Sequence, residues 1–338
     1  MKTAKAALPR MAAVSELRRS KSAKIIRRVG GALIKSVFLI GFSFIILYPV
    51  ITLISKAFMQ QQDVYDNTVL WVPRHFTLEN LQFAWSSMNY PAALKNTLLV
   101  VVSTTLLQTF SCMLVGYGFA RFEFKGKKIL FALVVLTILI PPQQIMTQLY
   151  LYFRNFDIFG IIQAATGDSL HLLDSFWPFF ILSATGFGIK NGLFIFIFRQ
   201  SFRGMPKETE EAAMVDGAGP FRTFWSIMLP GAVTIIATIV LFSFVWGWND
   251  TFYSGLFLQK TRMLPQAFEL YNSYLTGNKG LVGGEIATQL SRFNLEDTQV
   301  IALLRNAGVF LVMAPLLLFY AVTQRFFVES IERSGLVG

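Results

Sequence analysis

The chain has 338 residues, of which 54% are hydrophobic and only 14% charged, whereas soluble domains carry about 25% charged residues. This composition excludes an ordinary soluble protein and predicts a polytopic membrane protein. The formal net charge of +11 does not indicate nucleic-acid binding, because the basic residues are dispersed in short loops beside apolar runs, where a cytoplasmic membrane surface explains them.

Six apolar segments are candidates to cross a membrane, because a spanning helix needs about 20 mostly apolar residues. A basic segment, residues 1–31, precedes them with nine Lys and Arg residues and one acid, Glu16. The apolar run that follows contains no convincing small-residue cleavage site, so we predict a retained first helix rather than a removed signal peptide. The predicted spans are 33–57, 97–119, 129–149, 176–198, 229–248 and 300–322.

Two of these segments contain helix breakers. Pro141-Pro142 interrupts the third, and the fourth contains Gly186, Gly188 and Gly192. The fourth segment is therefore expected to be a broken helix, with residues 176–185 partly separate. Irregular backbone at membrane depth is tolerated only where protein or a water-filled cavity covers it.

The distribution of basic residues predicts the orientation. With the N-terminus inside, the internal segments 1–31, 121–128, 199–222 and 323–338 carry nineteen Lys and Arg residues, against six in the external loops 59–93, 150–175 and 250–300. This asymmetry follows the positive-inside rule and places both termini in the cytoplasm. The transmembrane domain is then 32–322, the tail is 323–338, and the last external loop is expected to hold a short helix near 266–275.

The connection between the fourth and fifth spans, residues 199–228, is predicted to be structured. Pro206 suits the first turn of a helix over 207–215, and Asp216-Gly217 is a stop signal because Gly accepts a left-handed backbone. Gly219-Pro220 begins a second short helix. From composition alone, an amphipathic helix on the membrane surface explains this segment equally well.

The sequence disfavours several kinds of chemistry. It has no phosphate-binding Gly-x-x-x-x-Gly-Lys-Ser/Thr loop, no nucleophile elbow and no paired carboxylates in a span. Cys112 is the only cysteine, and the two histidines, His75 and His171, fall in separate loops, which disfavours a metal cluster or a disulfide. Acids are essentially absent from the spans, which disfavours a proton-coupled carrier.

The chain contains Glu211-Ala212-Ala213 and Asp216-Gly217-Ala218, continued by Ile227-Met228-Leu229-Pro230, with further motifs at 94–98, 116–122, 140–143 and 248–250. Together with the tail, these motifs along residues 90–250 resemble the sugar-type ABC importer permeases, in particular the maltose-system-like six-span subunit. Departures are Thr234, where this group often has a second proline, the tail from Gln324, and an unusual insertion at 163–173.

The resemblance implies an all-α membrane protein with six transmembrane helices and the type I ABC importer permease fold. The chain would bind no cofactor, because ATP and Mg would be bound by two partner ATPase subunits. The other implied partners are a second, similar permease subunit in a heterodimer, an extracellular solute-binding protein, a sugar and membrane lipid. The implied location is the bacterial inner membrane, and the chain itself would not be an enzyme.

Within this family reading, Glu211 would anchor the segment in a cleft of the ATPase, and small residues would allow close seating. A solvated surface acid is the alternative for Glu211. The predicted ATPase-coupling residues are Glu210, Glu211, Ala212, Ala213, Asp216 and Gly217.

Polar and aromatic residues near the helix breaks are candidates for a sugar path, since sugar hydroxyls need amide and hydroxyl partners and an aromatic platform. These candidates are Gln143, Gln144, Thr147, Asn191, Trp246, Trp248 and Asn249. Hydrogen bonding between helices is the alternative role for the amides, including Gln108, and Trp248-Asn249-Asp250 can instead cap a helix. A permease for a non-sugar solute, a secondary carrier and a membrane enzyme are the rival functions.

Overall fold

The computed structural model describes the backbone of residues 7–335 except positions 67, 70, 278–285, 287, 289 and 290, and side chains between 29 and 324. These residues are mostly helical, and the described part contains no β-strand, only two isolated antiparallel bridges. The chain divides into two compact units, Met1–Phe76 and Thr77–Gly338.

The first unit consists of one long helix and a short polar segment. Helix α1 (Ala7–Ala57) contains Pro49, and α2 (Gln61–Val64) follows it. The buried carboxylate of Asp63 accepts the backbone N–H of His75 at 2.7 Å and lies 2.6 Å from the Nδ1 atom of the same residue. This pair fixes the segment that leads out of the unit.

The second unit contains the remaining helices. They are α3 (Glu79–Ser87), α4 (Tyr90–Arg121), α5 (Lys127–Leu139), α6 (Met146–Arg154), α7 (Ile161–Thr166), α8 (Trp177–Ala184), α9 (Asn191–Gly204), α10 (Lys207–Val215), α11 (Pro220–Thr223), α12 (Leu229–Gly231), α13 (Val233–Trp248), α14 (Phe252–Phe257), α15 (Leu264–Leu275) and α16 (Thr298–Gly335). A 3-10 turn at Pro142–Ile145 precedes α6, and a π-helical turn at Phe224–Met228 precedes α12.

Length and hydropathy mark three described helices as candidate membrane spans: Val29–Ala57, Tyr90–Arg121 and Thr298–Gln324. Two bent pairs raise the number to five among the described residues. The first is Lys127–Leu139 with Pro142–Arg154, bent by 101°, and the second is Pro220–Gly231 with Val233–Trp248, bent by 76°. The chain is therefore a multi-pass membrane protein, while the arrangement of six spans stays a prediction.

The helix breaks fall where proline and glycine occur. The third predicted segment bends at Pro141-Pro142, and the fourth is divided into α8 and α9, as expected. The fifth segment, predicted as one continuous helix over 229–248, is instead interrupted at Ala232. Pro230 has no N–H to donate to the preceding turn, and Gly231 has a low helix propensity, which explains this break.

Helix α4 is the centre of the second unit, and it packs against α8, α9, α13 and α15. It approaches α9 closely at Gly116, where an added Cβ would lie 2.5 Å from the Cβ of Phe198. Toward one end of this contact, the rings of Tyr117, Phe202 and Phe224 pack together, with centroids 4.8–6.3 Å apart. The resulting buried cluster joins α4, α9 and the π-helical turn.

Helix α16 packs against α3, α13 and α15. The hydroxyl of Tyr271, on α15, donates to the carbonyl oxygen of Leu304 at 2.8 Å. The ring of Tyr271 packs against Gly308, where an added Cβ would lie only 2.7 Å from it. The predicted short helix at 266–275 is thus confirmed as α15, and its tyrosine is completely buried against α16.

Candidate coupling site

The segment between α9 and α13 is a helix, a tight turn and a second short helix. Lys207 begins α10, so Pro206 lies at the N-cap, one residue before the position that the sequence predicted. Gly217 has φ of +82°, and the N–H of Ala218 donates to the carbonyl of Ala213 at 2.9 Å. This left-handed glycine ends the helix as expected. Pro220 then begins α11.

The inner face of α10 is buried against the end of α4. The carboxylate of Glu210 lies 3.2 Å from Nε of Arg121 and accepts a 3.3 Å hydrogen bond from the hydroxyl of Tyr117. A second arm of Arg121, Nη2, donates to the backbone carbonyl of Met205 at 2.9 Å. The side chains of the ion pair are only 5% and 10% exposed, and Ala213 is also buried.

The outer face of α10 and α11 is exposed and partly apolar. Glu211 and Ala212 are exposed. The side chains of Val215 and Phe221 are 87% and 75% exposed, and Met214 is 50% exposed. Soluble surfaces rarely cluster large apolar side chains in this way unless another surface covers them.

The predicted coupling residues therefore divide into three groups. Glu210 and Ala213 face inward, Glu211 and Ala212 face outward, and Asp216 with Gly217 forms the turn. Sequence patterns alone did not mark Tyr117 and Arg121 as functional residues. Their spacing of four positions at the predicted cytoplasmic end of a helix was the available signal, because it places both side chains on one face.

The polar candidates at the first helix break are exposed. Gln143 and Gln144 lie in the 3-10 turn between α5 and α6, and Thr147 lies in the first turn of α6. Their amide and hydroxyl groups are thus presented at the bend and can donate to or accept from a polar molecule there.

Asn191, at the start of α9, is buried and lies beside another amide. Its carboxamide is 3.0 Å from the backbone nitrogen of Gly188 and 3.3 Å from Oε1 of Gln108. The hydrogen-bond network is satisfied when the oxygen of Asn191 faces Gly188 and its nitrogen faces Gln108. Nε2 of Gln108 in turn donates to the carbonyl of Ile189 at 2.7 Å. These two amide groups therefore hydrogen-bond to the irregular backbone between α8 and α9.

The candidates at the end of α13 have partners within the chain. Trp248 is 1% exposed, and its indole N–H donates to the carbonyl of Val312 at 3.2 Å. Trp246 stacks on Phe194 with ring centroids 5.6 Å apart. Nδ2 of Asn249 donates to the carbonyl of Val245 at 2.9 Å, which caps α13.

Asp250 lies two residues before the next short helix, α14. Its two carboxylate oxygens accept the backbone N–H groups of Tyr253 and Ser254 at 3.2 and 2.9 Å. Burial raises the pKa of Asp250 to about 6. The residue also lines a cavity with Gln108 and Ser243, so the end of α13 borders a mainly apolar cavity that a few polar side chains enter.

Known proteins are similar to this chain along most of its length. The sequence model of the family described as binding-protein-dependent transport system inner membrane component matches residues 112–332. A probable ABC transporter permease protein of Pyrococcus horikoshii is 30% identical over 272 residues, covering 79% of this chain and 82% of that protein. A diacetylchitobiose uptake system permease protein of Streptomyces coelicolor is 25% identical, covering 89% of this chain and 88% of the relative.

A further relative and a solved structure agree in length and fold. A probable starch degradation products transport system permease protein of Thermoanaerobacterium thermosulfurigenes is 27% identical, covering 71% of this chain and 82% of its own length. The crystal structure of a bacterial ABC transporter involved in the import of the acidic polysaccharide alginate contains a chain with a TM-score of 0.65 and 21% identity. The match covers 89% of this chain and 97% of that one.

Proposed function

The chain belongs to the family of binding-protein-dependent transport system inner membrane components, and we propose that it is a permease subunit of an ATP-driven carbohydrate importer. In this proposal it acts in a bacterial inner membrane and forms half of the translocation path with a second, similar permease. Two ATPase subunits bind ATP and Mg on the cytoplasmic side, and an extracellular solute-binding protein delivers the sugar. The chain itself performs no chemical step.

The two-faced coupling segment is the observation that carries the proposal. Its inner face, at Glu210 and Ala213, is held by the chain itself, whereas Glu211, Val215 and Phe221 are exposed. A helix that is fixed on one side and open on the other can receive a partner and transmit the partner's movement to its own chain.

The connections of α10 give this movement a path. Met205 and Pro206 alone separate α10 from α9, and the turn at Gly217 joins it to α11 and the π-helical turn that precedes α13. When ATP closes the two ATPase subunits, α10 is displaced and tilts the helices at both ends. The sugar cavity then changes from inward-facing to outward-facing, which is a rigid-body transition between two packed arrangements.

The class of cargo is supported by the relatives, two of which are described as permeases for diacetylchitobiose and for starch degradation products. The side chains of Gln143, Gln144 and Thr147 at the bend after α5 suit this cargo, because carbohydrate hydroxyls both donate and accept hydrogen bonds. We assign these three residues to the sugar path. Asn191 supports the start of α9, and Trp248 and Asn249 support the end of α13.

Charge reversal on the exposed face tests the coupling role. Glu211→Lys is expected to reduce the amount of ATPase subunit that co-purifies with the permease pair, because it places a cation on the docking face. Glu269→Lys is the matched control, since Glu269 is also an exposed glutamate within a helix, α15, but lies in a predicted external loop. Equal recovery of the ATPase with both variants would contradict the docking proposal.

A further inference from the structure

Two adjacent glutamates of α10 have opposite environments. The carboxylate of Glu211 is exposed, whereas that of Glu210 is buried between Arg121 and Tyr117. The difference follows from helix geometry, because neighbouring positions are rotated by about 100° around the axis. The two acids therefore cannot have the same role in a segment that binds a partner on one face only.

The buried pair connects α10 to a helix that is distant in sequence. Arg121 is the last residue of α4, and its guanidinium contacts both Glu210 and the carbonyl of Met205, at the junction of α9 and α10. Moving two charges out of water is costly, and a buried pair stabilises a protein only when its geometry and additional hydrogen bonds are good. Such a pair is better suited to fixing the position of α10 on α4 than to adding stability.

The position of α4 makes this contact mechanically important. Helix α4 packs against α8, α9, α13 and α15. A displacement of its cytoplasmic end is therefore transmitted to most helices of the second unit. At Gly116, α4 and α9 are packed so closely that an added Cβ would lie 2.5 Å from the Cβ of Phe198. A side-chain link from α10 to α4 therefore reaches more of the bundle than the chain connections to α9 and α13.

We propose that Arg121, Glu210 and Tyr117 form a clasp that transmits the displacement of α10 directly to α4. The inference rests on the proposed function, since it assumes that an ATPase subunit moves α10. The clasp residues are positioning residues, and they do not contact the ATPase or the cargo. Docking on the ATPase is carried by the exposed face, and transmission into the bundle is carried by the buried face.

The clasp predicts that docking and coupling can be separated by mutation. Glu210→Gln removes the charge but keeps an acceptor, and Tyr117→Phe removes only one hydroxyl from an otherwise aromatic contact. Both variants are expected to retain the ATPase subunit. In Glu210→Gln, the stimulation of ATP hydrolysis by the binding protein, purified with its native cargo, is expected to fall roughly fivefold or more, and in Tyr117→Phe by less.

The matched control is an ion pair near the same end of α4 whose glutamate is exposed. Lys127 and Glu123 are 2.8 Å apart, and the glutamate side chain is 87% exposed. Such surface pairs contribute little, so Glu123→Gln is expected to leave the stimulation unchanged. Reactivity of the buried Cys112 with a maleimide before heating shows whether each variant is folded. If Glu210→Gln is not folded, Tyr117→Phe carries the test.

A distance measurement distinguishes transmission from a purely structural role. Spin labels on Leu114→Cys in α4 and Thr209→Cys in α10, at exposed positions with Cys112 buried, report the separation of the two helices. With the clasp intact, the label separation is expected to stay constant when ATP and Mg are added and when ADP–vanadate is trapped. In Glu210→Gln the separation is expected to increase.

The outcomes separate the two proposals. A wild-type permease pair that does not retain the ATPase contradicts the proposed function. The clasp alone is overturned if the binding protein stimulates ATP hydrolysis normally in the wild type and equally well in folded Glu210→Gln and Tyr117→Phe variants. Loss of the ATPase from Glu210→Gln also overturns it, because the buried acid would then act in docking.

Discussion

Adding one methyl group at Gly116 is expected to separate α4 from α9. A Cβ at this position would lie 2.5 Å from the Cβ of Phe198, 3.0 Å from the backbone nitrogen of Arg199 and 3.2 Å from the carbonyl oxygen of Ile195. Ordinary contacts between carbon atoms are about 3.5–4.0 Å, so the helices must separate by about 1 Å. All three neighbouring atoms belong to or adjoin the backbone of α9, so a rotamer change cannot relieve the contact.

The energetic cost follows from this geometry. An extra methylene in a well-packed interior typically costs about 1–3 kcal/mol. Replacing a glycine inside a helix by alanine returns about 1 kcal/mol through helix propensity. The net effect of Gly116→Ala is thus a destabilisation of up to about 2 kcal/mol. Gly118→Ala is expected to be neutral or to stabilise the protein by about 1 kcal/mol, because no atom lies within 4 Å of a Cβ at Gly118.

The chain provides its own reporter for this measurement. Cys112 is the only cysteine, it is completely buried, and its sulfur lies 3.7 Å from the carbonyl oxygen of Asn191 in the same α4–α9 contact. Heating the detergent-solubilised protein with a fluorogenic maleimide therefore reports when this contact opens. We expect a lower midpoint for Gly116→Ala than for Gly118→Ala. Equal midpoints would refute the tight packing on which the estimate depends.

Two further predictions concern the end of α13 and a loop on the second unit. Trp248→Phe is expected to cost about 1 kcal/mol of stability by removing the indole donor to Val312, while the ATPase is retained; an unchanged melting midpoint would contradict this contact. The backbone N–H groups of Lys260 and Thr261 hold the pKa of Asp174 below its usual value. Since this folded pKa lies below the unfolded value of about 3.9, the ionised carboxylate stabilises the folded protein above about pH 4. This stabilisation is lost as the pH falls through the folded pKa. The difference in melting midpoint between wild type and Asp174→Ala is therefore expected to shrink on acidification, and a constant difference would argue against the ionised carboxylate.

The local backbone of the coupling segment could be predicted because its signals are local. Gly217 and Pro220 restrict the backbone on their own, and the helix between Pro206 and Asp216 consists of good helix formers. The break at Pro141-Pro142 was predictable for the same reason. The break at Ala232 was not predicted, because the apolar run 229–248 is long enough to span as one helix, and hydropathy does not show that the π-helical turn before Leu229 leads into the separate short helix α12.

The partners of individual side chains could not be predicted, because they depend on helices that are distant in sequence. Glu210 and Tyr117 are 93 positions apart, and nothing in the order Glu210-Glu211 indicates which acid turns inward. Trp248 was a candidate platform for a sugar, yet its indole group is directed to a carbonyl of α16, 64 positions away. The direction of each side chain is decided by the packing of the bundle.

Transport by the complete complex tests the central claim most directly. The permease pair and its ATPase are reconstituted in liposomes with ATP and Mg on the ATPase side, and uptake is measured for a radiolabelled oligosaccharide that the purified binding protein is first shown to bind. We predict uptake that requires ATP and the binding protein and that is lost in Glu211→Lys. Uptake that continues without ATP, or that is unchanged in Glu211→Lys, would contradict the assignment of this chain as a permease driven through α10.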